Sequence, residues 1–440
     1  MLKLDLPEVL SAKIGAIKLT KFTGIYSTAL SVAIFWALLI PGYIGQAPSR
    51  VFSYYINDGT CHPEIQGVGV HCFGDFYYNI AVGRLDNPWA SVPNPNPPLM
   101  QIFYSMFEPV TENRIGLLLY LSFLMTLTLI PLILIARNRI IPNHELSLLV
   151  IFVLTCSPVL IAIDRGSFSI AFFPLTFLLF YSHVKNQKLK ENIILTLMVL
   201  LKPQMILFNL ILIRTRPLVS VVKISVFQAL ISICSFGLYG ENVFDLSRQY
   251  LKQAISYQNY TPWGSLFPVN ISITNFIGTP LKILGLEERL FLLRILLTAF
   301  IMIFLLFKLY KHKNCIGPLE SFTLVTLTVI LLPGVTFPYY LCLLLTPIVI
   351  TLIMSLNDNT DQIDFVSRNR TASQLGKTSL ILLFIPWTIP FSAILPDSLD
   401  SYLFANVGLN WYPGLILLHL FYLSILFRSG SIENLKHSME

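Results

Sequence analysis

Residues 192–213 read NIILTLMVLLKPQMILFNLILI, an apolar run interrupted by Lys202 and Pro203. Its length suits one helical crossing of about 30 Å of hydrocarbon. Its flanks do not. Lys185, Lys188 and Lys190 precede it and Arg214 and Arg216 follow it, and Lys and Arg collect in cytoplasmic loops. A single crossing puts one of these clusters outside and inverts every later loop. Pro203 has no amide proton and breaks a helix, so the stretch reads as two half-helices meeting at Lys202–Pro203, a hairpin that enters and leaves on the cytoplasmic side. Such backbone is tolerated at membrane depth only where it lines a cavity or is buried in protein. Lys202 then points into a cavity.

The rest of the chain agrees with a membrane setting. Of its 440 residues 55% are hydrophobic and 12% charged, against about 25% charged in soluble domains. Apolar runs long enough to cross as helices recur at 23–44, 115–136, 146–163, 167–183, 219–239, 288–308, 318–333, 337–356, 378–395 and 411–427. None shows the alternation of a membrane β-barrel. The expected fold is all-α and polytopic: one integral membrane domain over 1–440, about ten transmembrane helices and the re-entrant hairpin at 192–213. Lys13, Lys18 and Lys21 precede the first run, which has no clear cleavage site. It reads as a retained span with its N-terminus in the cytoplasm. The C-terminus then falls inside too, and about 20 of the 30 basic residues lie on that side, as the positive-inside rule requires. The plasma (inner) membrane is the expected location. The net charge of +7 reflects this distribution and does not imply nucleic acid.

Two large segments fall outside on this topology, 45–114 and 240–287, both rich in Pro, Asn and aromatic residues. Short amphipathic pieces at 99–107 and 243–254 suit the interface. The longest cytoplasmic loop is 357–376. Cys61 and Cys72 share the first outer segment, and a disulfide between them and two free thiols are both open. Asn259 and Asn270 begin glycosylation sequons, a pattern frequent by chance.

Ionisable residues at or in a membrane are candidates for function because burying them is costly. Asp75 lies in CFGDFYYN, residues 72–79; Asp164 and Arg165 open DRGSFS, with Gly166 permitting a turn; Lys202 sits in LLKPQ. Structural readings stand beside these. Asp75 also suits a solvated loop acid or a helix cap, Asp164 and Arg165 an interfacial ion pair and cap, and Lys202 a snorkelling side chain. Trp89, Trp263, Tyr77 and Tyr78 suit interfacial anchors. No GxSxG, HExxH or phosphate-cradling Gly loop occurs, and His62 and His71 are a weak basis for metal. The expectation is no metal and no cofactor.

Taken in order, these elements resemble the GT-C superfamily of polytopic glycosyltransferases, and within it the alpha-mannosyltransferase family that uses polyprenyl-phosphate mannose. The resemblance runs from about Thr23 to Ile350. It rests on Gly74-Asp75-Phe76 with Tyr77 and Tyr78; Asn96-Pro97-Pro98-Leu99, where the family has Tyr-Pro-Pro-Leu; Arg165-Gly166-Ser167, where it has Arg-Gly-Asn; Lys202-Pro203; the polar outer loop from Trp263 to Ser272; and Phe337-Pro338-Tyr339-Tyr340 at the start of a late span. Each motif is short, and the specificity lies in their order. The resemblance implies a GT-C-like bundle and transfer of a hexose, mannose by family default, from a polyprenyl-phosphate donor to a lipid or glycan acceptor at the extracytoplasmic face, with inversion. It implies Asp75 as general base, Lys202 and Arg165 on the leaving phosphate, and Tyr77, Tyr78, Asn96, Trp263, Asn270, Tyr339 and Tyr340 around the substrates. Phosphate leaves as a stable anion, so one carboxylate suffices where most glycosidases use two. An O-antigen polymerase or ligase and a lipid-linked sugar transporter or flippase are the alternatives. The former usually carries its large periplasmic loop late, and the latter internal repeats.

Overall fold

The structure, a computed structural model of the chain, describes residues 74–90, 94–107, 115–138, 140–240, 242–260, 270–283, 290–311, 316–334, 336–356, 370–384 and 411–427. Among the described residues every regular element is a helix. In chain order they are α1 (Gly74–Gly83), α2 (Pro98–Ser105), α3 (Ile115–Arg137), α4 (Asn143–Thr155) and α5 (Ser157–Arg165); a 3-10 turn, Phe168–Ala171, leading into α6 (Phe172–Val184); and α7 (Lys188–Leu201), followed by a 3-10 helix, Pro203–Arg214. Beyond these come α8 (Leu218–Cys234), extended by a 3-10 turn, Ser235–Tyr239; α9 (Val243–Tyr260), α10 (Ile273–Ile283), α11 (Leu290–Lys311) and α12 (Pro318–Leu331); a 3-10 helix, Pro338–Leu344, leading into α13 (Leu345–Leu356); and α14 (Arg370–Phe384) and α15 (Trp411–Phe427).

Among the described residues three helical stretches are long and apolar enough to cross a membrane: Gly116–Arg137, Leu218–Tyr239 and Leu292–Lys311. A fourth forms if α4 and α5, bent by 50° at their junction, count as one span. Pro158 in the first turn of α5 supplies that bend by removing a helical N–H. The long helices leave Leu118, Ile133, Val219, Val226, Phe227, Leu230 and Ile303 exposed. An apolar band of that kind has no place against water, and it marks a membrane protein. The other apolar stretches expected as spans are helices of 10–17 residues, except that 23–44 and the second half of 378–395 lie outside the described residues. One of them is shortened by an internal break at Pro338, where a 3-10 helix replaces the α-helical start. α12 has 14 residues, about 21 Å of helix, and its whole inner length from Glu320 to Leu331 is largely buried. It packs as core against both the Pro203–Arg214 and Pro338–Leu344 helices.

The stretch 192–213 folds back on itself. α7 stops at Leu201, Lys202 takes an extended conformation (φ −154°, ψ 106°), and Pro203 starts the second arm. Placed end to end, arms of 14 and 12 residues reach about 45 Å. Their far ends nevertheless touch. Arg216 is ion-paired with Glu191 and donates from Nη1 to Asn192 Oδ1 at 2.7 Å, while His183 Nδ1 lies 2.6 Å from Glu191 Oε1. The side chains of Glu191, His183 and Arg216 are 2%, 2% and 7% exposed, so this ionic cluster closes the hairpin from inside the protein. Asn209 on the second arm donates to Gln228 Oε1 at 2.6 Å and to Ser225 Oγ at 2.8 Å, tying the arm to α8.

The expected cytoplasmic loop to residue 376 is corrected at its end. Arg370 to Gly376 belong to α14, and Gly376 faces the Phe421 ring of α15, where an added Cβ would come within 2.8 Å. Gly414 meets Leu383 in the same way. Small residues let two apolar helices approach closely, and Ser379 Oγ donates to Gly414 O at 3.0 Å across this contact.

Candidate active site

Asp75 lies in the first turn of α1, where the positive end of the helix dipole favours an anion. Arg165 is the last residue of α5, where the negative end favours a cation. The two ends meet, and Arg165 Nη2 is ion-paired with Asp75 Oδ1, with side chains 18% and 19% exposed. Asp75 is therefore neither a solvated loop acid nor free of partners. Next to it, Phe76 is fully buried, 4.7 Å from the Tyr120 ring and 6.4 Å from that of Tyr104. That aromatic anchor fixes the height at which Asp75 stands.

A run of carboxamides holds α1 to α2. Asn79, four residues after Asp75 and on the same helical face, donates to Asp75 O at 2.5 Å. Asn96 Nδ2 donates to Asn79 Oδ1 at 2.5 Å, Gln101 Nε2 donates to Asn79 O, and Asn94 Nδ2 donates to Gln101 Oε1 at 3.2 Å. Asn96 thus stands two hydrogen bonds from the Asp75 backbone. Gly83 packs against α2, and a Cβ there would lie 2.5 Å from Ser105 Oγ. Trp89 donates to Asn96 O at 3.0 Å and is wholly buried against Phe236 and Leu246. It is a core residue of this corner, not an interfacial anchor.

On the Arg165 side, Gly166 has φ +62°, a conformation that favours glycine. Its carbonyl accepts from Tyr120 at 2.9 Å and from Tyr104 at 3.5 Å. Burial lifts the Tyr104 phenol above its ordinary range, the Asp75 charge adds to this, and Tyr340 contributes in the same sense. Lys202 Nζ lies 5.7 Å from the centre of the Tyr340 ring, within cation–π range. Tyr340 shares the Pro338–Leu344 helix with Tyr339, their rings 5.2 Å apart, and that helix packs on α5. Asp75 paired with Arg165 and Lys202 over Tyr340 make up a patch on elements that pack together, α5 against the Pro338 helix.

The remaining expected residues fall differently. Tyr77 is half-buried and packs against the core, with its ring 5.3 Å from Phe76; Tyr78 is half-buried too. Asn270 is fully buried and works on backbone: Nδ2 donates to Gly334 O at 2.8 Å, and Oδ1 accepts from Thr336 N at 3.0 Å and Ser272 N at 3.1 Å. It staples the segment that leads into Tyr339 and Tyr340. A buried, engaged amide also rules its sequon out for glycosylation. Asn259 lies within α9. Trp263, Cys61, Cys72, His62 and His71 lie outside the described residues, and Cys156, Cys234 and Cys342 are free thiols. Among the described residues no group of three His, Cys, Asp or Glu side chains is placed to hold a metal ion.

Sequence reasoning missed Asn79, Gln101, Tyr104 and Tyr120. Asn79 had a signal, its spacing of four from Asp75. Gln101 had another, as the one carboxamide in the apolar octapeptide PLMQIFYS of α2. The tyrosines had none, since an aromatic in an apolar run reads as packing. Chemically, the patch offers a carboxylate able to take a proton, a guanidinium beside it and an ammonium above an aromatic face. No family model, curated protein or solved structure matches this chain.

Proposed function

We propose that the protein is a membrane glycosyltransferase of GT-C type. It moves a hexose, mannose on the family resemblance, from a polyprenyl-phosphate donor to a lipid or glycan acceptor at the extracytoplasmic face of the plasma membrane. The acceptor hydroxyl oxygen attacks the anomeric carbon opposite the phosphate, and its proton passes to Asp75. The bond from that carbon to the phosphate oxygen breaks, its electron pair leaving on phosphate, so the configuration inverts. Lys202 and Arg165 hold the phosphate as its charge grows, in a setting poor in water where such interactions are strongest. A guanidinium carries five N–H donors, so one edge of Arg165 stays on Asp75 while another meets the phosphate.

The observation that carries this reading is the packing of α5 on the Pro338 helix, which brings together the acid paired with Arg165 and the lysine over Tyr340. The closure of the hairpin by Glu191 and Arg216 supports its re-entrant path, and with it the ten-span topology with both termini in the cytoplasm. The test is incubation of the purified protein with lipid-linked mannose, glucose and arabinose donors and a membrane-lipid extract as acceptor. Transfer of one of these sugars is expected; with none transferred and the donors intact, the reading fails.

A further inference from the structure

The hairpin apex carries a second donor that the reading above does not use. Gln204 lies two residues after Lys202, in the first turn of the Pro203–Arg214 helix. Its Nε2 is buried and has no hydrogen-bond partner among the described residues. Leaving a buried amide donor unmatched costs about 1–3 kcal/mol, so such a group is retained where something else satisfies it. Lys202 is half-buried and has an aromatic ring rather than a carboxylate as its neighbour, and no ion pair involves it among the described residues. The chain reverses between these two side chains, and the 3-10 helix begins there with the positive end of its dipole.

We infer that the apex of the hairpin is a phosphate seat in which the Gln204 carboxamide donates to one phosphoryl oxygen while the Lys202 ammonium faces another. An ammonium and an N–H donor beside a helix N-terminus call for a ligand that is anionic and rich in acceptor oxygens. A carboxylate or halide uses fewer of these donors than a phosphate does. The inference rests on the glycosyltransferase reading only for the identity of the phosphate's carrier, a polyprenyl chain, with Gln204 adding discrimination between a charged phosphate and a neutral alcohol head.

The experiment uses the full chain in detergent and three probes: farnesyl phosphate, farnesol and inorganic phosphate. Affinity is read from the rise in unfolding temperature, and Lys202 reactivity from acylation by an N-hydroxysuccinimide ester mapped by mass spectrometry. Farnesyl phosphate should stabilise the wild type and protect Lys202, and farnesol should do neither. Gln204→Leu should weaken farnesyl phosphate about tenfold, one charge-assisted hydrogen bond, and Gln204→Glu should weaken it further by repulsion. Equal affinity of Gln204→Leu and wild type for farnesyl phosphate overturns the role of Gln204. If that variant does not fold, the wild-type protection experiment stands alone, and unprotected Lys202 in saturating farnesyl phosphate overturns the seat. Protection by inorganic phosphate alone at equal concentration assigns the site to the free ion and overturns the lipid carrier. Farnesyl phosphate binding without any sugar transfer removes the glycosyltransferase reading and leaves the seat.

Discussion

At the scale of single residues, the site depends on one carbonyl as much as on the charges. Gly166 turns the chain at φ +62° and presents its oxygen to two tyrosines, and that turn fixes the end of α5 from which Arg165 reaches Asp75. Gly166→Ala should cost about 1 kcal/mol or more, because a Cβ resists that conformation; thermal unfolding in detergent checks it, and an unchanged midpoint contradicts it. The raised Tyr104 and Tyr250 phenols set a sign at alkaline pH. The unfolded chain loses these protons first, so stability is intact below about pH 10 and falls as pH rises towards the folded-state values. Tyr104→Phe should flatten that fall, and an identical slope in the variant would tell against the buried phenol. Asp75, Arg165 and Lys202 were legible in the sequence because charge in an apolar chain has few harmless homes. Their pairing was not legible: Asp75 and Arg165 are 90 residues apart, and no local pattern records which cation finds which anion. Asn270 shows the opposite error. A polar residue in a polar loop reads as a ligand, whereas burial turns it into a staple for backbone.

At the scale of elements, the hairpin was the part read most directly. Proline lacks a proton wherever it occurs, and the break at Lys202–Pro203 follows from that local fact. Two features lay beyond a local reading. The second arm is a 3-10 helix of 12 residues, longer than such helices usually run, and its closure relies on Glu191, His183 and Arg216, of which only Arg216 stood out in the sequence, as a cytoplasmic marker. Removing one member of a buried ion pair strands the other, at about 3–5 kcal/mol. Glu191→Gln should therefore lower the unfolding temperature markedly, while Glu191→Leu with Arg216→Met recovers much of the loss. A single variant as stable as wild type removes the cluster from the account. α1 and α2 offer a second check. Gly83→Val drives a side chain into Ser105 and Gln101, and overpacking of this kind costs about 1–3 kcal/mol.

At the scale of the whole molecule, composition alone announced a membrane protein, and the exposed apolar band of α3, α8 and α11 agrees with it. The count of spans was less legible. Hydropathy registers how apolar a run is but not whether lipid or protein surrounds it: α12, expected as a span, has most of its residues from Glu320 to Leu331 against neighbouring helices. Topology remains a direct test of the proposed orientation. Asn186 and Asp86 are exposed, Asn186 at the turn between α6 and α7 and Asp86 after α1. In intact cells a membrane-impermeant maleimide should label Asp86→Cys and not Asn186→Cys, and the reverse pattern inverts the site. The most direct measurement of the central claim is sugar transfer from a polyprenyl-phosphate donor by Asp75→Asn beside wild type, in proteoliposomes at equal protein and matched unfolding temperature. The account predicts that wild type transfers sugar and Asp75→Asn does not; transfer at the wild-type rate by the variant contradicts it.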